Sequence, residues 1–374
     1  MKNNNSSELI AGKMPSLTAR LESIHSMVMD KVPSIDRIAF ALYDAKTDLM
    51  KTFINSTKAR VPISAYEIKL SEVPSLQTLA ETGSVRVIND VQSELKRHSK
   101  HSTWVLDQEY QSSFTIPIHN GELLLGFVFF DSFEKSAFTD AIQRDLLLFS
   151  NLIQMAVASE VMVIDSLLST AAAARDFARL RDFETGKHLD RMAHFCRLIA
   201  KNLQESHQLS DEYIEQLYLF APLHDIGKIG IPDAILLKPG RLTPEERDVM
   251  KTHVEKGVLL VDKVLSEYSL NAISDAQVLR NLIGCHHEFL DGSGYPAGLS
   301  GDAIPLEARI ITVADIFDAL TSQRPYKQPW SVEDAIDELK RMVGEGKLDS
   351  PCVDALEASL EDVSMLVKSL ADEV

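Results

Sequence analysis

The sequence predicts two folded parts of different class joined by a long helix: an α+β domain with a mostly antiparallel sheet, then an all-α bundle. Three observations carry this. β-rich runs punctuated by turn residues fill roughly the first 140 positions and include an Asn120-Gly121 turn between "SSFTIPIH" and "ELLLGFVFFDS". Residues 139–184 contain neither Pro nor Gly. Beyond Asp176 the pattern is helical almost throughout, with turn signals at "KPGRLT", "DGSGYPAGLSGDAIP" and "RPYKQP".

Residues 1–16 are polar and lack a signal-peptide core, which predicts a short disordered tail. Residues 17–32 read as a helix ended by Pro33. "DRIAFALYDAKTDLMKTFIN" reads as two strands around a turn near 44–48, and "SVRVIND" as another strand. The Asn120-Gly121 hairpin follows, and a closing helix begins near Phe138. This order of elements, over residues 17–150, resembles a GAF domain in topology. The resemblance implies a small-molecule pocket between the sheet and the middle segment, about residues 64–110, whose ligand is unknown. No cysteine lies in this half, so a thioether-linked bilin is not expected. His25, His98, His101 and His119 read as ordinary core or surface histidines, since none has a ligand-like neighbour at helical spacing.

Residues 151–175 read as a connecting helix within a helical run on the order of 65 Å long. Ile153, Val157, Glu160, Ile164, Leu167, Ala171, Ala174 and Ala178 recur at four- and three-residue steps, and seven of the eight are apolar. Such a heptad seam predicts a parallel homodimer that passes a signal along the helix; the competing reading is a helix buried in one domain's core.

The composition bounds the function. A net charge of -17 argues against a nucleic-acid surface, while leaving room for a small anion held by local cations or metal. Three scattered cysteines make neither a disulfide framework nor a thiolate zinc site. No apolar run approaches the roughly 18 residues of a membrane helix, and the expectation is a cytoplasmic protein.

The chemistry concentrates in residues 176–374, where seven of the eleven histidines lie. Glu184 and His188 stand four apart, on one face of a helix. "LFAPLHDIGKIGIPD" runs an apolar helix into His224-Asp225, and a buried carboxylate there is costly unless paired or metal-bound. Lys228 returns to the side of His224 if that helix continues. His253 lies in an amphipathic helix and Asp315 in an apolar one, and Asp318 is placed to cap or pair nearby. "CHHEFLDGSGYP" carries His286 and His287, which on a helix would project about 100° apart. Arg324 and Lys327 in "RPYK" suit phosphate oxygens. Five imidazoles with two or three carboxylates exceed the ligands of one ion and suit Fe, Mn or Zn. Two ions a few Å apart form a common machine for phosphate-ester hydrolysis.

His188, His224-Asp225 and Asp315 resemble the signature of the HD phosphohydrolase superfamily. "HDIGKIGIPDAILLKPGRLTPEE" with "HHEFLDGSGYP" resembles its HD-GYP family of cyclic-di-GMP phosphodiesterases, over about residues 176–349. The resemblance implies a first metal at His188, His224, Asp225 and Asp315, and a second completed by His253, His286 and His287 with Asp225 bridging. Glu184 occupies the position used for a third metal in some relatives, so two or three divalent ions, Fe or Mn, are expected. Lys228, Arg324 and Lys327 match phosphate contacts, and Tyr295 would border the cleft. Lys228, or a metal-bound water, would protonate the leaving oxygen. The implied reaction is hydrolysis of cyclic-di-GMP to pGpG, and in some relatives on to GMP, through a metal-bridging hydroxide, under control of the GAF-like domain. The alternatives are a phosphodiesterase selective for cyclic GMP-AMP, or a non-catalytic cyclic-dinucleotide receptor. In the latter the Gly-Tyr-Pro loop would dock a partner such as a diguanylate cyclase. Glu288 and Asp291 read as acids that fix ligands or the loop.

Overall fold

The computed structural model describes residues 17–45, 47–58, 66–96, 103, 106–177, 186–267, 276–323 and 328–370, with only the backbone for 160 and 162–177. It divides into two compact units, Pro15–Val163 and Ile164–Val374.

In the first unit, α1 (Leu17–Lys31) buries Leu17, Leu21, Ile24, His25 and Val28, a stripe at helical spacing. The strands are β1 (Arg37–Asp44), β2 (Leu49–Thr57), β3 (Glu67–Lys69), β4 (Arg86–Ile88), β5 (Ser112–Asn120) and β6 (Leu123–Ser132). They form one antiparallel sheet in the order β3-β2-β1-β6-β5-β4. Helices α2 (Pro74–Thr82) and α3 (Val91–Glu94) lie in the middle segment. This is the α+β architecture with an antiparallel sheet expected from the sequence, with β3 as a short strand the sequence pattern does not reveal. Strand alternation splits the core between the two faces. Ile38, Phe40 and Leu42 join α1 on one face, whereas Ala41, Met50 and Phe127 join α2 on the other. The hairpin loop is Gly121-Glu122, one residue later than the Asn-Gly pair suggests: Asn120 pairs with Leu123, and Gly121 takes φ +62. Glycine at the first loop position is what a type II′ turn requires.

One long helix, α4 (Asp140–Phe177), follows. Ile153 and Val157, the first two positions of the heptad seam, are buried in the first unit's core. At these positions the core reading holds. The exposed large apolar side chains described on this helix are instead Leu147, Leu148, Leu152 and Met155. Glu160, Ile164, Leu167, Ala171 and Ala174 have undescribed side chains, and Ala178 lies outside the described residues. His25 is a core histidine whose Nδ1 lies 2.8 Å from Ser56 Oγ, and His119 Nε2 lies 3.1 Å from the Ala80 carbonyl. His98 and His101 lie outside the described residues.

The second unit is helical, as the sequence predicts. Its helices are α5 (Gly186–His207), α6 (Asp211–Phe220), α7 (Asp233–Leu236), α8 (Pro244–Lys251), α9 (His253–Glu267), α10 (Ala276–Cys285) and α11 (Leu306–Thr321). Three more close the chain: α12 (Val332–Gly344), α13 (Ser350–Glu357) and α14 (Leu360–Ser369). Helix α5 buries Met192, Phe195, Ile199 and Leu203 along one stripe. Helix α11 is buried nearly all round, and its Phe317 meets Phe195 edge-on at 5.2 Å. No helix among the described residues is long and apolar enough to cross a membrane.

One buried ion pair ties three strands of the sheet. Arg37 on β1 donates to Asp131 on β6 at 2.5 Å, and Ser113 on β5 donates to the other carboxylate oxygen at 2.7 Å. Asp131→Ala leaves that guanidinium buried without its counter-ion. It should cost about 3–5 kcal/mol, read as a lower urea midpoint at unchanged m-value.

Candidate metal centre

Tight turns, not helix continuation, shape the centre. Helix α6 stops at Phe220, and the chain proceeds as two short 3₁₀ segments, Ala221–Leu223 and Ile226–Gly230. His224 and Asp225 sit between them, so the helix does not continue through them. Lys228 still comes back: its Nζ lies 2.7 Å from Asp225 Oδ2. Gly227 makes the arrangement possible. A Cβ at Gly227 would lie 1.9 Å from the His253 carbonyl oxygen and 2.4 Å from the Gly257 nitrogen. Only glycine lets this turn press against α9, and that contact carries Asp225 to His253.

His286 and His287 follow the last residue of α10. The angular separation of neighbours on a helix therefore does not govern them, and their rings lie 4.1 Å apart, inclined by 42°. His188 comes from α5 and Asp315 from α11. Two donor groups result: Asp225, His253, His286 and His287 in one, and His188, His224 and Asp315 in the other. Within each group the donor atoms lie within 4.8 Å of one another. Asp225 faces both. Its Oδ2 lies 3.2 Å from His224 Nε2, while Oδ1 lies 3.0 Å from His253 Nε2 and 3.7 Å from His286 Nε2.

The imidazole tautomers test whether this set fits a cation. Nδ1 of His224, His253 and His286 lies 2.9, 2.8 and 2.8 Å from the carbonyl oxygens of Ala221, Met250 and Ile283. A carbonyl only accepts, so each Nδ1 carries the proton and each Nε2 offers a lone pair. His253 Nε2, His286 Nε2 and Asp225 Oδ1 are buried without a hydrogen-bond partner. A nitrogen lone pair facing a carboxylate oxygen at 3.0 Å repels it unless positive charge lies between them. Protons do not fill that role at every ring. Burial lowers His286, and burial followed by the neighbouring His286 pushes His287 down to about 2. Burial also opposes the charge on Asp225, yet Lys228 holds its carboxyl well below the usual range. The donors thus fit divalent metal ions, with nitrogen and oxygen ligands and no sulfur among them.

One wall of the centre is the loop after His287. Glu288 is buried and accepts backbone N–H groups from Ala297 at 2.8 Å and Leu299 at 3.0 Å. Asp291 accepts from the Ser293 backbone at 2.8 Å and its hydroxyl at 2.6 Å. Both acids therefore fix the loop. A Cβ on Gly294 would lie 2.4 Å from Glu288 Cα, so the loop folds onto its own start. Tyr295 donates its backbone N–H to the His287 carbonyl and stacks its ring on His287 at 4.6 Å. Lys251 Nζ stands 5.5 Å from the Tyr295 ring centre. Burial raises the Tyr295 phenol, which therefore stays neutral.

Seven of the eight metal-site residues expected from the sequence thus come together, with Lys228 and Tyr295 beside them. Glu184, Arg324 and Lys327 lie outside the described residues. Lys251 over Tyr295 is not legible in the sequence, since nothing sets it apart from Arg247 on the same helix.

Residues 173–351 match the family model described as HD domain. The chain is 46% identical over 186 residues to the cyclic di-GMP phosphodiesterase response regulator RpfG of Xanthomonas campestris pv. campestris, covering 49% of this chain and 46% of that one. It is 40% identical to a probable cyclic di-GMP phosphodiesterase of Vibrio cholerae, covering 54% and 46%. It is 41% identical to the 3'3'-cGAMP-specific phosphodiesterase 2 of the same organism, covering 44% and 29%. The chain therefore spans less than half the length of each of these relatives. Among solved structures, it is similar to the GAF domain of an Acinetobacter phosphoenolpyruvate-protein phosphotransferase, at TM-score 0.32 and 14% identity, covering 40% of this chain and 85% of that one.

A centre of this kind should couple metal to stability. Mn²⁺ at a hundred times its dissociation constant should raise the unfolding free energy by about 2.7 kcal/mol, and EDTA should reverse the shift. A thermal melt that moves with neither would show that these donors hold no cation.

Proposed function

We propose that this chain, whose residues 173–351 match the HD domain family model, is a metal-dependent cyclic-dinucleotide phosphodiesterase. The observation that carries the reading is the Asp225 carboxylate, one oxygen toward His224 and the other toward His253 and His286. In this reading His188, His224, Asp225 and Asp315 hold one ion, and Asp225, His253, His286 and His287 hold a second. Glu184 is assigned to a third, and Fe or Mn is the expected metal. Bound ions would supply Lewis-acid polarisation of the phosphoryl group and an activated water.

The chain's own residues do the rest. Asp225 orients both halves of the donor set. Lys228, beside it, is placed to give a proton to the leaving 3′ oxygen. Tyr295 lines the cleft with its ring fixed on His287, and Lys251 adds positive charge at that rim. Arg324 and Lys327 are assigned to the phosphate oxygens. We assign cyclic-di-GMP as substrate and pGpG as first product. Cyclic GMP-AMP stands as the second reading because relatives named for each nucleotide are similar to this chain at 46% and 41% identity.

Residues 17–150 are assigned as a regulatory domain for a small-molecule ligand, 151–175 as a connecting helix and 176–374 as the catalytic domain. Pairing of two copies along that helix would use Leu148, Leu152 and Met155, exposed at four- and three-residue steps, because Ile153 and Val157 are already covered.

Purified chain loaded anaerobically with Fe²⁺ or Mn²⁺ should hydrolyse cyclic-di-GMP, and parallel rates on cyclic GMP-AMP will rank the two substrates. Asp225→Ala should fall below about a hundredth of the wild-type rate. Wild-type turnover in a folded Asp225→Ala protein would refute the shared-carboxylate assignment. Tight binding of either nucleotide with no hydrolysis would make the chain a receptor instead.

A further inference from the structure

The two donor groups differ in how their histidines are held. His224, His253 and His286 each rest Nδ1 on a backbone carbonyl three residues earlier. His188 rests Nδ1 on a side chain instead: Asp318 Oδ2, at 2.7 Å and 130 residues away. Asp318 is only 1% exposed, and Arg191, 3% exposed, grips it at two points. Arg191 Nε donates to Oδ1 and Nη2 donates to Oδ2 at 3.2 Å. Ser322 Oγ donates to Oδ2 at 3.1 Å and accepts from Arg191 Nη2 at 2.8 Å. The remaining arm of the fork, Nη1, donates to the Leu370 carbonyl at 2.7 Å, beside the end of α14.

A carboxylate behind a histidine does two things a carbonyl does less well. It fixes the ring against rotation through a charged acceptor, and it raises the basicity of the opposite nitrogen. Arg191 tempers the second effect by neutralising Asp318, but its fork geometry locks the carboxylate in place. We propose that Asp318, held by Arg191, is a positioning residue that makes the His188–His224–Asp315 group the tighter of the two cation subsites. The inference rests on the two-group reading of the centre. It further ties that subsite to the Leu370 backbone, so the C-terminal end of α14 supports the metal ligand set from behind.

Asn at position 318 keeps the shape but cannot satisfy the same donors. Its amide offers one oxygen and one NH₂, so either His188 Nδ1–H or Arg191 Nε–H meets another donor. The test is a stepwise Mn²⁺ titration of the intact apo chain by calorimetry, with bound metal counted by elemental analysis. Wild type should show two classes of site. Asp318→Asn should weaken the tighter class by about 10–100-fold and leave the weaker class unchanged. His253→Ala should do the reverse. Arg191→Lys, which keeps the charge and loses the fork, should weaken the same class as Asp318→Asn. It is the variant to rely on if Asp318→Asn does not fold. A single class of site in wild type, unchanged binding in the folded variant, or equal weakening of both classes would each overturn the proposal. Turnover separates this from the wider reading. A chain that binds Mn²⁺ in two classes but hydrolyses no cyclic dinucleotide would lose the proposed function and keep the positioning role. Hydrolysis with an unaltered Asp318→Asn titration would do the opposite.

Discussion

The second unit is organised around one carboxylate that faces imidazoles on two sides. Asp225 lies between two 3₁₀ turns, within 3.2 Å of His224 and 3.0 Å of His253. Such a group can persist in a half-buried position only if positive charge answers it, because desolvating a lone carboxylate costs several kcal/mol. Lys228 supplies part of that answer. The contact between Gly227 and α9 is the steric condition for the arrangement, since any side chain there would enter the His253 backbone. Charge and sterics are therefore one constraint: the turn is tight so that the carboxylate can be shared.

The same logic extends to the loop after His287. A ring stacked on a histidine orients it without consuming either nitrogen, and Tyr295 does this for His287. The tyrosine is held in turn by its backbone hydrogen bond to His287 and by the close approach at Gly294. Glu288 closes the loop by accepting two of its N–H groups from a buried position. A buried acid next to two candidate ligands thus serves the backbone rather than a cation, as its place in the motif suggests.

What the sequence makes legible follows the range of the forces involved. Local patterns read correctly: the α1 stripe, the β5–β6 hairpin, the helical second unit. The His-Asp set is legible because two imidazoles side by side, and a His-Asp pair after an apolar helix, are hard to explain by packing. What resists is any feature whose cause is distant in the chain. His188 and Asp318 are 130 residues apart, so neither announces the other, and Arg191 looks like one more cation on an amphipathic helix. At its first two positions the heptad on α4 is ambiguous for a related reason. An apolar repeat does not say which surface covers it, and the first unit's sheet already covers Ile153 and Val157. The 3₁₀ turns around His224 are unreadable for a local reason instead: apolar periodicity does not distinguish them from a continuing α-helix.

A net charge of -17 is an awkward background for an anionic substrate, as the proposed function requires. Distance resolves it. At physiological ionic strength the field of exposed charges decays over roughly 8 Å, so most surface acids are screened from the centre. What acts on an incoming phosphate is the set of groups within that range. Among the described residues these include Lys228 on Asp225 and Lys251 over Tyr295, beside two carboxylates and five imidazoles that could hold cations. Lys228 and Asp225 together are nearly neutral, and uncharged imidazoles add nothing by themselves. In the proposed reading, bound metal, with Arg324 and Lys327, therefore supplies most of the positive potential at this site. In this reading the donors that bind the ions also decide whether an anion can approach at all.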